Sequence, residues 1–243
     1  MKTMRNLFLG LIVVQFSQAN ACVDLNNNDE TLTVCTGDNA IVANMRTAES
    51  GDGVVVGVNP RTRKISVDFT NGSSRFGGIG TYNFYEATFG NGCYGGACVG
   101  DKGIRQNGNR VESGDGIIVG INPITEKVSI NFSHGTSRFK GIGTYDLDEI
   151  TIGKGCFAGV CVGDRAVREN GNAVESGDGV VVGINPSTGR VAIDFNQGTS
   201  RFRGIGTYYV DSITVGSYCV EYGPESTARY TMNKFEFYEN FSK

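Results

Sequence analysis

The sequence predicts an all-β chain of three tandem small barrels, each of five strands and each closed by one disulfide. Three observations predict it. The chain repeats itself every 63 residues, most plainly in ESGDG at Glu49 to Gly53, Glu112 to Gly116 and Glu175 to Gly179. Its apolar residues fall in short runs separated by Gly, Asn, Asp and Ser, the pattern of short strands and tight turns. Its cysteines recur with the repeat. The 36 glycines follow no three-residue period, so the composition is that of turns and not of collagen.

The first 21 residues read as an export signal. Lys2 and Arg5 form a basic start, Leu7 to Val14 an apolar core, and Ala19-Asn20-Ala21 a small-residue cleavage site. The core is too short to span a bilayer, and no later segment is longer, so no transmembrane segment is expected. Removal of the signal leaves 20 basic and 25 acidic residues. That balance excludes a basic nucleic-acid surface. Export places the chain in the periplasm, at the cell surface or outside the cell, where cysteines are read first as disulfides.

Residues 22–31 form a polar leader rich in Asn and Asp. Barrel repeats are expected over residues 32–94, 95–157 and 158–219, and an aromatic tail over residues 220–243. Copy two is the clearest. CVGDKGIRQ is a first short strand and NGNRVESGDG a glycine-bearing loop. GIIVGI is an apolar second strand, turned by NPITEK. VSINF alternates inward Val128, Ile130 and Phe132 with outward Ser129 and Asn131. TSRFKGIG is a fourth strand and TYDLDEITIG a turn and closing strand. No segment has a strong 3.6-residue period, so helix should be minimal.

Cys35 and Cys93, Cys98 and Cys156, and Cys161 and Cys219 are each 58 residues apart. One bridge per repeat is the simplest pairing: Cys35–Cys93, Cys98–Cys156 and Cys161–Cys219. The rival pairs near neighbours, Cys93–Cys98 and Cys156–Cys161, and leaves Cys35 and Cys219 without equivalent partners. Cys22 follows the cleavage site directly. It is read as free or intermolecularly paired, with a lipid anchor as the lesser reading, because Ala19 stands where lipoprotein signals carry Leu.

Five short strands in such a unit suit a small closed barrel, which removes exposed edges. The elements Cys-Val-Gly-Asp, Gly-Ile-Ile-Val-Gly-Ile, Val-Ser-Ile-Asn-Phe and Tyr-Asp-Leu-Asp-Glu-Ile resemble an SH3-like or Tudor-like barrel. The whole signature is similar to tandem repeat proteins secreted by some bacteria, largely without assigned function. The resemblance implies first and last strands side by side. It implies no reaction.

ESGDG reads as a loop that delivers the chain into strand two, with a Ca²⁺ site at Glu112 and Asp115 as the sharper alternative. The second recurrence is SRFxGIGTY. Alternation sends Phe76, Phe139 and Phe202 inward and Arg75, Arg138 and Arg201 outward. Each Arg either pairs with an acid of its own barrel or lies exposed beside Tyr82, Tyr145 or Tyr208. There Arg and Tyr together would grip a carboxylate-bearing glycan or an extended peptide. His134 reads as a turn residue, and Asp38, Asp101 and Asp164 as turn carboxylates. No nucleophile, zinc or phosphate-loop motif is present, and no cofactor is expected. These features together predict a non-enzymatic, multivalent binding or adhesion module of the cell envelope, with a glycan or protein partner. A structural envelope or matrix spacer is the alternative, and an enzyme or enzyme inhibitor the third reading.

Overall fold

The computed structural model describes residues 21–27, 30–42, 51–74, 76–105, 114–168 and 177–216. These residues are all-β, with three single-turn 3-10 segments and no α-helix among them. The chain opens with a hairpin, β1 (Cys22–Asn27) and β2 (Glu30–Cys35). Copy one follows as β3 (Asn39–Val42), β4 (Gly51–Asn59), β5 (Lys64–Asp68), β6 (Ile79–Asn83) and β7 (Ala87–Phe89). A short hairpin, β8 (Cys93–Tyr94) and β9 (Ala97–Cys98), leads to copy two. That copy comprises β10 (Lys102–Arg105), β11 (Gly114–Asn122), β12 (Lys127–Asn131), β13 (Ile142–Asp146) and β14 (Ile150–Ile152). A second short hairpin, β15 (Cys156–Phe157) and β16 (Val160–Cys161), leads to copy three. Its strands are β17 (Arg165–Arg168), β18 (Gly177–Asn185), β19 (Arg190–Asp194), β20 (Ile205–Tyr209) and β21 (Thr214–Gly216).

In copy one the strand order is β7-β3-β4-β5-β6, antiparallel throughout, and the other copies repeat it. The first and last strands of each copy do pair, as the resemblance implies. The expected closed barrel is not formed: among the described residues no ladder joins β6 to β7, β13 to β14 or β20 to β21. Each copy is instead an open meander wrapped around its own core. The long second strand does the wrapping. The first half of β4 pairs with β3 and its second half with β5, with a register shift between Val55 and Gly57. A shift of this kind bends the strand and raises its twist. The core of copy one gathers Val55, Ile65, Val67, Phe69, Tyr82 and Phe89, and the other two copies match it.

The edge left open on strand two is used by the preceding copy. Phe89 of β7 pairs with Ile121 of β11, and Ile152 of β14 with Ile184 of β18. Three meanders thereby merge into one 15-stranded sheet. Side chains lock each junction. Asn122 Nδ2 donates to the carbonyls of Phe84 at 2.7 Å and Ala87 at 2.6 Å. Asn185 Nδ2 does the same to Leu147 at 2.9 Å and Ile150 at 2.6 Å. The two Asn Oδ1 atoms cap the turns that follow, at Ile124 N and Ser187 N. Ser129, outward from its own copy as expected, is buried there and meets Thr88 Oγ1 at 2.7 Å. Gly120 sits opposite Thr88; a Cβ on it would lie 2.5 Å from Thr88 Oγ1 and 2.7 Å from Ile41 Cδ1.

The disulfide pairing is corrected. The bonds are Cys22–Cys35, Cys93–Cys98 and Cys156–Cys161, not Cys35–Cys93, Cys98–Cys156 and Cys161–Cys219. Each closes a hairpin in which the two cysteines sit directly opposite. Their Cα atoms are 4.0 Å apart, close enough for a bridge. Gly95 and Gly96, with φ of 57° and 82°, make the tight turn between Tyr94 and Ala97, since both central residues need positive φ. Cys22 is neither free nor available to a lipid, because its sulfur is bonded to Cys35. Cys219 and the tail lie outside the described residues.

The polar leader is not a loose lead-in. Its residues build β1 and β2, and the hairpin reaches from copy one to copy two. Leu25, Leu32 and Val34 join the core of copy one. At the tip, Asn27 Nδ2 donates to Tyr94 Oη at 2.8 Å and Pro123 O at 2.6 Å, and Gly95 N donates to Glu30 at 2.8 Å.

Candidate functional site

In ESGDG, Glu49, Glu112 and Glu175 and the serines beside them lie outside the described residues. The rest opens the second strand of each copy and staples it to a neighbouring loop. Gly51, Gly114 and Gly177 have φ of 140°, 130° and 131°. A Cβ on any of them would stand 2.6 Å from the backbone nitrogen of Ser74, Ser137 or Ser200. Only glycine fits that close approach. The following Asp then holds the loop after strand three: Asp52 accepts from Ser73 N at 2.9 Å, and Asp115 and Asp178 from Thr136 N and Thr199 N at 2.8 Å. Asp115 and Asp178 also take the hydroxyls of those threonines. The expected loop is thus corrected over its described part: Gly-Asp-Gly is the paired start of the second strand, held there by the close approach of its first glycine and the bonds of its Asp.

Two of the three carboxylates carry a built-in cation. Lys102 Nζ lies 2.8 Å from Asp115, and Arg165 Nε donates to Asp178 at 2.7 Å. Burial alone would raise the Asp115 carboxyl, but hydrogen bonds from Lys102 and Thr136 overcome it and lower its pKa to about 2. Asp178 is lowered likewise, against its burial, by Thr199 and Arg165. These cations stand where an ion at Asp115 would have to sit. Copy one differs, with Asn39 at the position of Lys102 and Arg165. A pocket of about 120 Å³ opens there, lined by Asn39, Asp52, Val54, Asp68 and Asn71 among others.

The Arg–Tyr grip is not assembled. Tyr82, Tyr145 and Tyr208 are only 7%, 6% and 8% exposed. Their rings pack edge-on against Phe69, Phe132 and Phe195 at 5.8, 6.0 and 6.0 Å. Strand alternation puts Tyr on the core face, the same face as the Phe of strand three. Phe76, Phe139 and Phe202 point inward as expected and pack on the same rings. Arg138 and Arg201 are exposed, and neither has an ion pair among the described residues; Arg75 lies outside them. The arginines that do meet the tyrosines were not singled out in the sequence. Arg105 stacks over Tyr145 at 3.8 Å and Arg168 over Tyr208 at 3.9 Å. They end the first strand of their copies, at a position held by Val42 in copy one, so the repeat gave no triple signal.

What recurs at the surface is strand two. Val54, Ile117 and Val180 are 39%, 46% and 42% exposed, at equivalent positions. Each is flanked across the sheet by polar residues: Asn39 and Asp68, Lys102 and Asn131, Arg165 and Asp194. Asp38, Asp101 and Asp164 serve turns, each accepting the backbone nitrogen of the preceding cysteine at 2.7 Å. His134 is an exposed turn residue. No family model matches the chain, and no curated protein matches it.

Proposed function

We propose that this chain is an exported, non-enzymatic binding module of the bacterial cell envelope. Three SH3-like open meanders stand in a row, and each offers the outer face of strand two to a glycan or peptide ligand. The observation that carries this reading is the triplicate exposed aliphatic position, Val54, Ile117 and Val180, in a polar surround. Solitary exposed aliphatics are ordinary; the same one repeated on units with locked spacing is a multivalent pattern. Arg138 and Arg201, exposed and without acidic partners among the described residues, add donors suited to carboxylates. The strand order and the 3-10 turn ahead of each last strand support the SH3-like reading. Three disulfides are in keeping with an oxidising compartment, and no helix among the described residues is long and apolar enough to cross a membrane.

The test is co-sedimentation of the oxidised chain with purified cell-wall sacculi and, in parallel, with intact cells. Two triple variants are compared with wild type: Val54, Ile117 and Val180 to Ser, and Arg75, Arg138 and Arg201 to Ala. Retention of wild type, lost in the folded strand-two variant, is the expected result. A second reading, a structural spacer, is favoured by the sheet that runs unbroken through both junctions. Retention by neither surface, or retention unchanged in both variants, moves the assignment to the spacer.

A further inference from the structure

Each junction between copies has a receiving side and an inserting side, and both kinds of side persist at the ends of the row. The receiving side of copy two is Gly120, Asn122 and Ser129. Copy one carries Gly57, Asn59 and Ser66 at those positions. Asn59 is exposed, whereas Asn122 and Asn185 are buried. Asn59 Oδ1 caps Thr62 N at 3.1 Å, the turn-capping role seen in the other copies. Its Nδ2, which there would donate to two carbonyls of a neighbour, has no partner among the described residues. A Cβ on Gly57 would meet only Ser66, at 3.7 Å, while one on Gly183 would lie 2.6 Å from Thr151 Oγ1. Within the described fold nothing requires glycine at position 57.

The inserting side shows the converse. Thr88 and Thr151 are each 2% exposed beneath the following copy. Thr214, their counterpart on β21, is exposed, and Ile213 and Val215 are half-buried where Ile150 and Ile152 are buried.

We propose that the chain assembles head to tail, with β21 of one molecule docking on β4 of a second copy as β7 docks on β11. By the internal junction, Val215 pairs with Val58, Thr214 meets Ser66 over Gly57, and Asn59 Nδ2 donates to the carbonyls of Val210 and Ile213. The occupant is a second copy because the two exposed faces are complementary to each other by the same residues that join the copies inside the chain. Arrays that remain single carry polar capping units at their ends, and this receiving end keeps its docking set. The contact is heterologous, so it propagates into a filament unless the rotation closes a ring. The proposal does not depend on the binding reading above.

The test is sedimentation velocity of the whole exported chain over a concentration series. Gly57→Val blocks the head and Thr214→Arg blocks the tail. Asn59→Ala is a second head variant at an exposed side chain, should Gly57→Val fail to fold. Wild type should grow in mass with concentration, and each variant alone should remain a monomer. An equimolar mixture should form dimers, because the intact head of one variant and the intact tail of the other make a single contact that cannot propagate. The proposal therefore expects twice the monomer mass in the mixture and nothing larger. A wild type that is monomeric throughout overturns it, as does self-association of either variant alone. A monomeric wild type that assembles once cut after Gly216 assigns the face to residues 217–243 and likewise overturns it.

Discussion

Replacing Asn122 with alanine removes one side chain that serves two copies at once. Two donor bonds to buried carbonyls are lost, at 2.7 and 2.6 Å, together with the Oδ1 cap on Ile124 N. A neutral hydrogen bond contributes about 1 kcal/mol net, and a buried group left unsatisfied costs about 1–3 kcal/mol. The expected destabilisation is therefore about 3 kcal/mol. The repeat supplies its own control. Asn59→Ala deletes the same atoms at an exposed site, where water replaces the lost bond to Thr62, and should cost about 0.5 kcal/mol. The assay is urea unfolding of the oxidised chain at high dilution, followed by far-UV circular dichroism and tyrosine fluorescence, since the chain has no tryptophan. If the two variants lose equal stability, the junction asparagine does not join the copies and the reasoning fails. If Asn122→Ala instead splits one transition into two, the junction is what makes the copies unfold together.

Three further outcomes are expected. A bridge closing a hairpin of five-residue separation stabilises by about 2 kcal/mol in the chain-entropy model, against about 4 for a 58-residue loop. The double variant Cys93→Ser with Cys98→Ser should therefore stay folded and lose about 2 kcal/mol by urea melt, and loss of all folded signal would contradict this pairing. The Asp115 carboxyl is lowered from 3.8 to about 2 in the folded chain, so its contribution is full above about pH 4 and lost as pH falls through 2. After allowance for the solvated Lys102, Asp115→Asn should remove about 1 kcal/mol at pH 7 and only a small fraction of that at pH 2, checked by melts at both values. Thr151 Oγ1 is buried without a hydrogen-bond partner among the described residues, and Ala192 stands where copy two has Ser129. Ala192→Ser should stabilise by about 1 kcal/mol in the same melt, and a loss of stability would show that the site has no room for the hydroxyl.

The alternation of Val128, Ile130 and Phe132, the positive φ of the first glycine in ESGDG and the inward Phe residues were all legible, because each is a local pattern with one physical solution. The disulfides were not. In a chain of 63-residue period, a spacing of 58 within a copy and a spacing of 5 between copies satisfy the same periodicity. Geometry breaks the tie: Gly95-Gly96 turns the chain back on itself and sets Cys93 against Cys98 before any distant partner is near. The tyrosines misled for a related reason. Arg and Tyr share one repeated motif, which suggests a surface pair, but the strand in that motif starts only at Ile79 and its alternation turns Tyr82 to the core side. The junctions were invisible because their residues look like turn and strand filler. Asn122-Pro123 reads as a turn and Ser129 as a solvent-facing residue until a second copy is laid against them.

Near-identical units in one chain face a hazard during folding: copy one can mate with copy three and leave copy two looped out. The first hairpin works as an address against that error. Its tip residue Asn27 bonds Tyr94 Oη and also lies 3.2 Å from Glu126. Copy three offers Phe157 and Gly189 at those positions, with neither a hydroxyl nor a carboxylate. The hairpin ahead of the first unit thus holds a key that the second unit answers and the third does not, so the order along the row is written into its side chains.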